Sequence, residues 1–139
     1  MPAFVDTNVL IYAIVGEEHE RAKRHIARDM LRRDDLVLSY QVLTEFCHQA
    51  TRRNRSGALT PERASQYVRA FSRFHIVPGT TDLVLTGLEL RRTTNYSMWD
   101  CMIIAAAKAG GCDTLLSEDM DHKRNVAGVT ILNPFAEAA

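Results

Sequence analysis

Short runs of consecutive apolar residues alternate along this chain with longer stretches in which apolar positions recur every three or four. The short runs predict strands over Ala3–Asp6, Leu36–Leu38, His75–Val77, Asp113–Leu116 and Val129–Leu132. The longer stretches predict helices over Val9–Ile14, over Glu17–Arg33 with Ala22, Ile26 and Met30 inward and Ala27 and Leu31 joining that stripe, and over Tyr40–Arg52 behind an N-cap at Ser39. Thr60-Pro61-Glu62 opens a further helix to Phe74, Thr81-Asp82 another to Thr93, and Ser97 precedes a last one that stops at Gly110-Gly111. Ser117–Gly128 reads as polar loop. Short apolar strands alternating with longer helices predict an α/β fold, a central parallel sheet of about five short strands with helices on both faces.

The last helix holds an anomaly. From Met98 to Ala107 every residue is apolar except Asp100. An ionised carboxylate without a partner is costly in such surroundings, so Asp100 requires a cation, a metal or a helix N-terminus. Ser97-x-x-Asp100 matches a capping box with Asp in place of the preferred Glu. A cap explains how the acid is tolerated but not why it stands so near the core. Trp99 beside it reads as core.

At 139 residues the chain suffices for one domain and is too short for two ordinary ones. Formal net charge is zero, which excludes a surface generally coated by nucleic acid and leaves local patches open. Fourteen of the 17 basic residues are Arg, the side chain suited to bidentate phosphate contact. Cys47, Cys101 and Cys112 form no CxxC pair, and Cys47 and Cys101 read as small buried hydrophobes; zinc is not expected. The start of the chain shows no basic-then-apolar leader pattern, so a reduced, cytoplasmic setting away from membranes is expected.

In parallel sheets, sites form at the carboxyl ends of strands near a switch in strand order. Asp6 ends the first strand, and it is either the cap of the next helix or a metal carboxylate. Glu45 shares a polar stripe with Gln41, His48 and Arg52, whose plain reading by pattern alone is a solvated face. Asp119 and Asp121 lie in a loop after the fourth strand. Converging carboxylates repel unless a cation neutralises them, and all-oxygen ligation selects Mg2+, with Mn2+ as an option. Such metals commonly serve phosphoryl chemistry. Asp6 is the expected partner of Asp100, the two sharing one cation.

Four motifs now resemble a known family. Phe4-Val5-Asp6-Thr7-Asn8-Val9-Leu10-Ile11-Tyr12, Leu38-Ser39-Tyr40-Gln41-Val42-Leu43-Thr44-Glu45-Phe46, Tyr96-Ser97-Met98-Trp99-Asp100-Cys101-Met102-Ile103-Ile104-Ala105 and Leu115-Leu116-Ser117-Glu118-Asp119-Met120 occur in the order seen in PIN-domain ribonucleases. Asn133-Pro134-Phe135 completes the pattern. The chain resembles, within that family, the VapC-type toxins of bacterial toxin–antitoxin pairs. The resemblance implies a single PIN domain over 1–139 with a PIN-like fold. It implies a catalytic, metal-binding quartet of Asp6, Glu45, Asp100 and Asp119. Thr7, Asn8 and Ser117 match supporting positions, and Asp121 matches a variable additional acid. The implied activity is Mg2+-dependent hydrolysis of RNA phosphodiester bonds by an endoribonuclease. The implied partners are an RNA substrate, a cognate VapB-type antitoxin and a second copy in a homodimer.

Arg52, Arg53 and Arg55 are candidate RNA-backbone contacts, with Lys123 and Arg124 as further candidates; a solvated loop is the plain alternative. Two other functions compete: a PIN-like RNA- or protein-binding module without catalysis, and a related metal nuclease acting on DNA. A receiver-type signalling domain would need a Lys directly after a late strand. The three lysines, Lys23, Lys108 and Lys123, follow none of the predicted strands.

Overall fold

The computed structural model describes residues 2–137. Of the domain expected over 1–139, Met1, Ala138 and Ala139 lie outside the described residues. In chain order the elements are β1 (Ala3–Val5), α1 (Thr7–Val15), α2 (Arg21–Met30), β2 (Leu36–Ser39), α3 (Tyr40–Ala50), α4 (Pro61–Phe71) and β3 (His75–Val77). Then come α5 (Thr81–Thr93), α6 (Met98–Ala109), β4 (Thr114–Leu116), β5 (Asn125–Val126) and β6 (Val129–Leu132).

The strands form one sheet in the order β3-β2-β1-β4-β6-β5. The first five positions in that order pair in parallel, and β5 runs antiparallel to β6. Successive strand residues point to opposite faces. All three residues of β1 and all four of β2 are buried, so both faces of the sheet centre are covered. This is the α/β architecture expected, with a sixth strand added. β5 escapes the apolar-run criterion because it is two residues long and lies in a polar stretch; its pairing with β6 comes from a turn with positive φ at Ala127 and Gly128.

From β1 the chain winds outward through β2 to β3, then returns to lay β4 against the other side of β1. The strand order therefore switches between β1 and β4, whose last residues, Val5 and Leu116, stand in register. Asp6 N–H donates to Leu116 O at 3.0 Å and closes the carboxyl edge of that pair.

Several local expectations change. The predicted helix over Glu17–Arg33 is broken: a 3-10 turn at Glu18–Glu20 precedes α2. Ala22 is exposed, and Ala27 is the fully buried residue of α2. α3 stops at Ala50, and α4 stops at Phe71 before a turn. Cys47 is half-buried, whereas Cys101 is buried as expected. Trp99 is not core at all; it is 70% exposed. Helical geometry explains this. Cys101, Ile103, Ile104 and Ala105 to Ala107 fill the buried side of α6, and Trp99 lies in the first turn, where the helix emerges from the packed layer. Among the described residues no helix is long and apolar enough to cross a membrane.

α6 packs on the sheet and carries α5 on its other side. Its approach is limited by Gly110 at its C-terminus. A Cβ there would stand 2.7 Å from Val37 Cγ1 and 3.2 Å from Val77 Cγ2, both on buried strand residues that cannot retreat. Gly110→Ala is expected to lower stability by about 1–3 kcal/mol, the usual cost of overpacking, in urea-unfolding curves. Gly87→Ala on α5 meets the flexible ends of Met102 and Met98 instead, and gains about 1 kcal/mol of helix propensity, so its net effect is expected to be smaller.

Candidate metal centre

Asp6 is the N-cap of α1, directly after β1. Its carboxylate is buried and takes two hydrogen bonds, from Thr7 N–H to Oδ1 at 2.7 Å and from Ser117 Oγ to Oδ2 at 2.7 Å. Cap and strand-end acid are thus one residue, and the two readings of Asp6 are compatible. Ser117 follows β4, and its Oγ also accepts from Asp119 N–H at 3.2 Å. Thr7 Oγ1 donates to Glu45 Oε2 at 2.9 Å. The two hydroxyl residues that hold Asp6 therefore hold Asp119 and Glu45 as well.

Glu45 and Gln41 are half-buried on α3, while His48 and Arg52 of the same polar stripe are exposed. Gln41, one turn earlier, donates to Glu45 Oε1 at 3.0 Å and to Trp99 O at 3.2 Å, linking α3 to the start of α6. Asn8 Nδ2 donates to Asp119 Oδ2 at 3.0 Å, and Asn8 Oδ1 accepts from Glu118 N–H at 3.4 Å. Asp100 lies in the first turn of α6, and Ser97 Oγ accepts its N–H at 3.1 Å. The capping box is only half made: the Ser97 hydroxyl caps the helix, and the Asp100 carboxylate does not return to the Ser97 N–H.

Electrostatics binds the four acids into one set. Burial pushes the Asp6 carboxyl up to about 6, its hydrogen bonds from Ser117 and Thr7 oppose that, and the charges of Asp119 and Glu45 add to it. Burial also raises Asp100; the Ser97 hydroxyl eases this, and Asp119 and Glu45 again push upward. Among the described residues no Lys or Arg forms an ion pair with either carboxyl. Asp6 and Asp100 thus share two acidic neighbours, Glu45 and Asp119. Among the described residues no three acid, His or Cys side chains already stand as a closed set of metal ligands. Glu45 and Asp119 are turned onto Thr7, Gln41 and Asn8.

The remaining candidates lie further out. Asp121 Oδ2 accepts from Tyr96 OH at 2.9 Å and from Arg124 Nη1 at 3.1 Å, and these donors hold its carboxyl below the ordinary range. Arg55 Nε donates to Gln49 O at 3.0 Å and so closes the end of α3, while Arg52 and Arg53 are exposed in the turn beyond it. Lys123 is exposed with positive φ.

Sequence reasoning passed over Gln41 as a site residue, although its spacing from Glu45 is that of a helical pair. It also passed over a network next to Asp119. Tyr12 OH donates to Glu118 Oε1 and Lys23 Nζ to Glu118 Oε2, each at 2.6 Å. That network had no local signal, since its members come from α1, α2 and the loop after β4.

A family model described as PIN domain matches residues 3–127. None of the curated proteins matches the chain by sequence. Solved structures do match by fold. The VapC20 toxin of Mycobacterium tuberculosis, described as sarcin-ricin loop cleaving, is 21% identical with a TM-score of 0.66 over 86% of this chain and 91% of that one. A toxin–antitoxin complex from Klebsiella pneumoniae is 21% identical with a TM-score of 0.69, over 95% of this chain and 97% of that one. DNA-bound VapBC from Salmonella typhimurium is 22% identical with a TM-score of 0.63, over 94% of this chain and 96% of that one. With the acids gathered at the switch between β1 and β4 and the family match spanning nearly all the strands, this chain belongs to the PIN-domain family.

Proposed function

We propose that the protein is a Mg2+-dependent endoribonuclease and the toxin of a VapBC-type toxin–antitoxin pair. The observation that carries the reading is the carboxylate set itself: Asp6, Glu45 and Asp119 are joined through Thr7 and Ser117, Gln41 ties Glu45 to the first turn of α6 that holds Asp100, and among the described residues no Lys or Arg forms an ion pair with Asp6 or Asp100. Gathering such acids costs stability, and a hard divalent cation with oxygen ligands is the group that recovers it. Asp6 and Asp100 would hold it chiefly, with Glu45 and Asp119 released from their hydrogen bonds or acting through water. A divalent cation bound there supplies Lewis acidity toward a phosphodiester and makes water a stronger acid. Mn2+ fits the same donors.

The chain's own groups supply the rest. Thr7 and Ser117 fix the carboxylate planes of Glu45 and Asp6. Gln41 holds Glu45, one of the two acids able to orient an attacking water, the other being Asp119. Arg52 and Arg53 are free to meet RNA backbone, whereas Arg55 and Arg124 already have protein partners.

Two partners follow. A VapB-type antitoxin is supported by the fold likeness to chains solved as toxin–antitoxin complexes. A second copy of the chain is assigned to the exposed apolar face formed by Val84, Leu85 and Leu88 on α5 with Tyr40 and Trp99 nearby.

Purified protein is expected to cut RNA, and not DNA, in a panel of single-stranded RNA, tRNA and DNA, with activity lost on chelation and restored by Mg2+. Asp6→Asn and Asp100→Asn should each lower cleavage about a hundredfold or more. Full activity in either would overturn the assignment.

Asp6→Asn is also expected to remain folded and, without divalent cation, to be more stable than the wild type at neutral pH. The Asp6 carboxyl titrates higher in the folded chain than its ordinary 3.8, so ionising it opposes folding. That penalty is full above pH 6, up to about 3 kcal/mol, and fades as pH falls toward 4. Urea unfolding at pH 4, 6 and 8 reads the difference, and a pH-independent gap would contradict it.

Leu85→Arg together with Leu88→Arg should convert a dimer to a monomer in sedimentation, leaving the fold unchanged by circular dichroism. An unchanged sedimentation coefficient would place the second copy elsewhere.

A further inference from the structure

The loop after β4 carries Asp119 and Asp121 on either side of Met120, which is buried at 7% exposure. One flank of this loop is tied to α1, where Asn8 holds Asp119 at 3.0 Å. The other flank is tied to the segment that leads into α6. Tyr96 OH donates to Asp121 Oδ2 at 2.9 Å and accepts from Asp121 N–H at 3.4 Å. Arg124 bonds the same carboxylate at 3.1 Å, and its guanidinium carbon lies 4.9 Å from the Tyr96 ring centroid.

Tyr96 is itself well fixed. Its N–H donates to Thr94 Oγ1 at 3.3 Å, and its carbonyl accepts from Arg91 Nη1 at 2.7 Å. The next residue, Ser97, caps α6 and takes the N–H of Asp100. Arg124 is anchored from the other direction, its carbonyl accepting from Ile131 N–H of β6 at 2.8 Å. Asp100 and Asp119 come from segments remote in sequence, and this ring–carboxylate–guanidinium cluster is the side-chain bridge between them.

We propose that Tyr96 is a positioning residue: backed by Arg124, it grips Asp121 and so sets Asp119 at a fixed place relative to Asp100. Asp121 is then the handle of the loop rather than a further metal ligand. The inference rests on the metal centre proposed above and adds to it the residues that hold its two halves together. An outer hydrogen bond of this kind acts by preorganisation, reducing the freedom the ligands lose on binding.

The test uses the full chain and Mn2+ alone, with free Mn2+ read by electron paramagnetic resonance and the Asp119 amide read by hydrogen exchange. Tyr96→Phe and Asp121→Ala should each weaken Mn2+ binding about tenfold. The double variant should be no weaker than either single one, because both remove the same bridge. Exchange at the Asp119 amide, which bonds Ser117 Oγ at 3.2 Å, should quicken in all three. Wild-type affinity and exchange in Tyr96→Phe would overturn the proposal. So would a loss confined to Asp121→Ala, which would make Asp121 a direct ligand. Asp6→Asn serves as the separate control. If it binds Mn2+ as the wild type does, the metal centre fails, and the bridge is then decided by exchange at Asp119 alone.

Discussion

The structure turns on one buried carboxylate. Asp6 sits where β1 ends beside β4, and its two oxygens are taken by Thr7 N–H and Ser117 Oγ. Both partners then reach onward, Thr7 to Glu45 and Ser117 to the backbone of Asp119. A shift of Asp6 would therefore be felt at two other acids. The arrangement depends on the register of β1 and β4, because Ser117 reaches Asp6 only when Leu116 stands beside Val5. A sheet buried on both faces holds that register firmly, since a slip would move its side chains to the wrong face.

The fourth acid arrives by a different route. Asp100 belongs to a helix whose middle is apolar on nearly every side, from Cys101 to Ala107, and whose end is pressed onto β2 and β3 at Gly110. That packing leaves the helix little freedom to rotate or slide. Its first turn emerges beside Glu45, joined to α3 through Gln41 and Trp99 O. Hydrophobic burial thus supplies the rigidity, and the polar residue at the rim supplies the chemistry. Placing desolvated, like-charged groups together opposes folding, and the large apolar core is what makes that cost bearable.

Much of this was legible along the chain. Strands and helices followed from runs and periodicities, because those patterns report burial directly. Caps at Ser39, Thr60 and Ser97 were legible because capping depends on neighbours three residues apart. The acids were legible as candidates because a carboxylate in an apolar helix, or at a strand end, is chemically conspicuous. Trp99 was misread because its apolar neighbours hide the turn at which the helix leaves the packed layer. The break before α2 and the two-residue β5 were missed because neither has enough residues to carry a period.

The sequence by itself determined the element order, the α/β class, the apolar core and the identity of the acids, since each depends on local pattern or residue chemistry. Only the tertiary structure decided which partners the acids take: Asp6 is held by Thr7 and Ser117, Glu45 by Thr7 and Gln41, Asp119 by Asn8, Asp121 by Tyr96 and Arg124, and Glu118 by Tyr12 and Lys23. Most of these are contacts between residues far apart in the chain. They exist because the sheet reverses its order between β1 and β4, and no local pattern encodes which distant partner a side chain will meet.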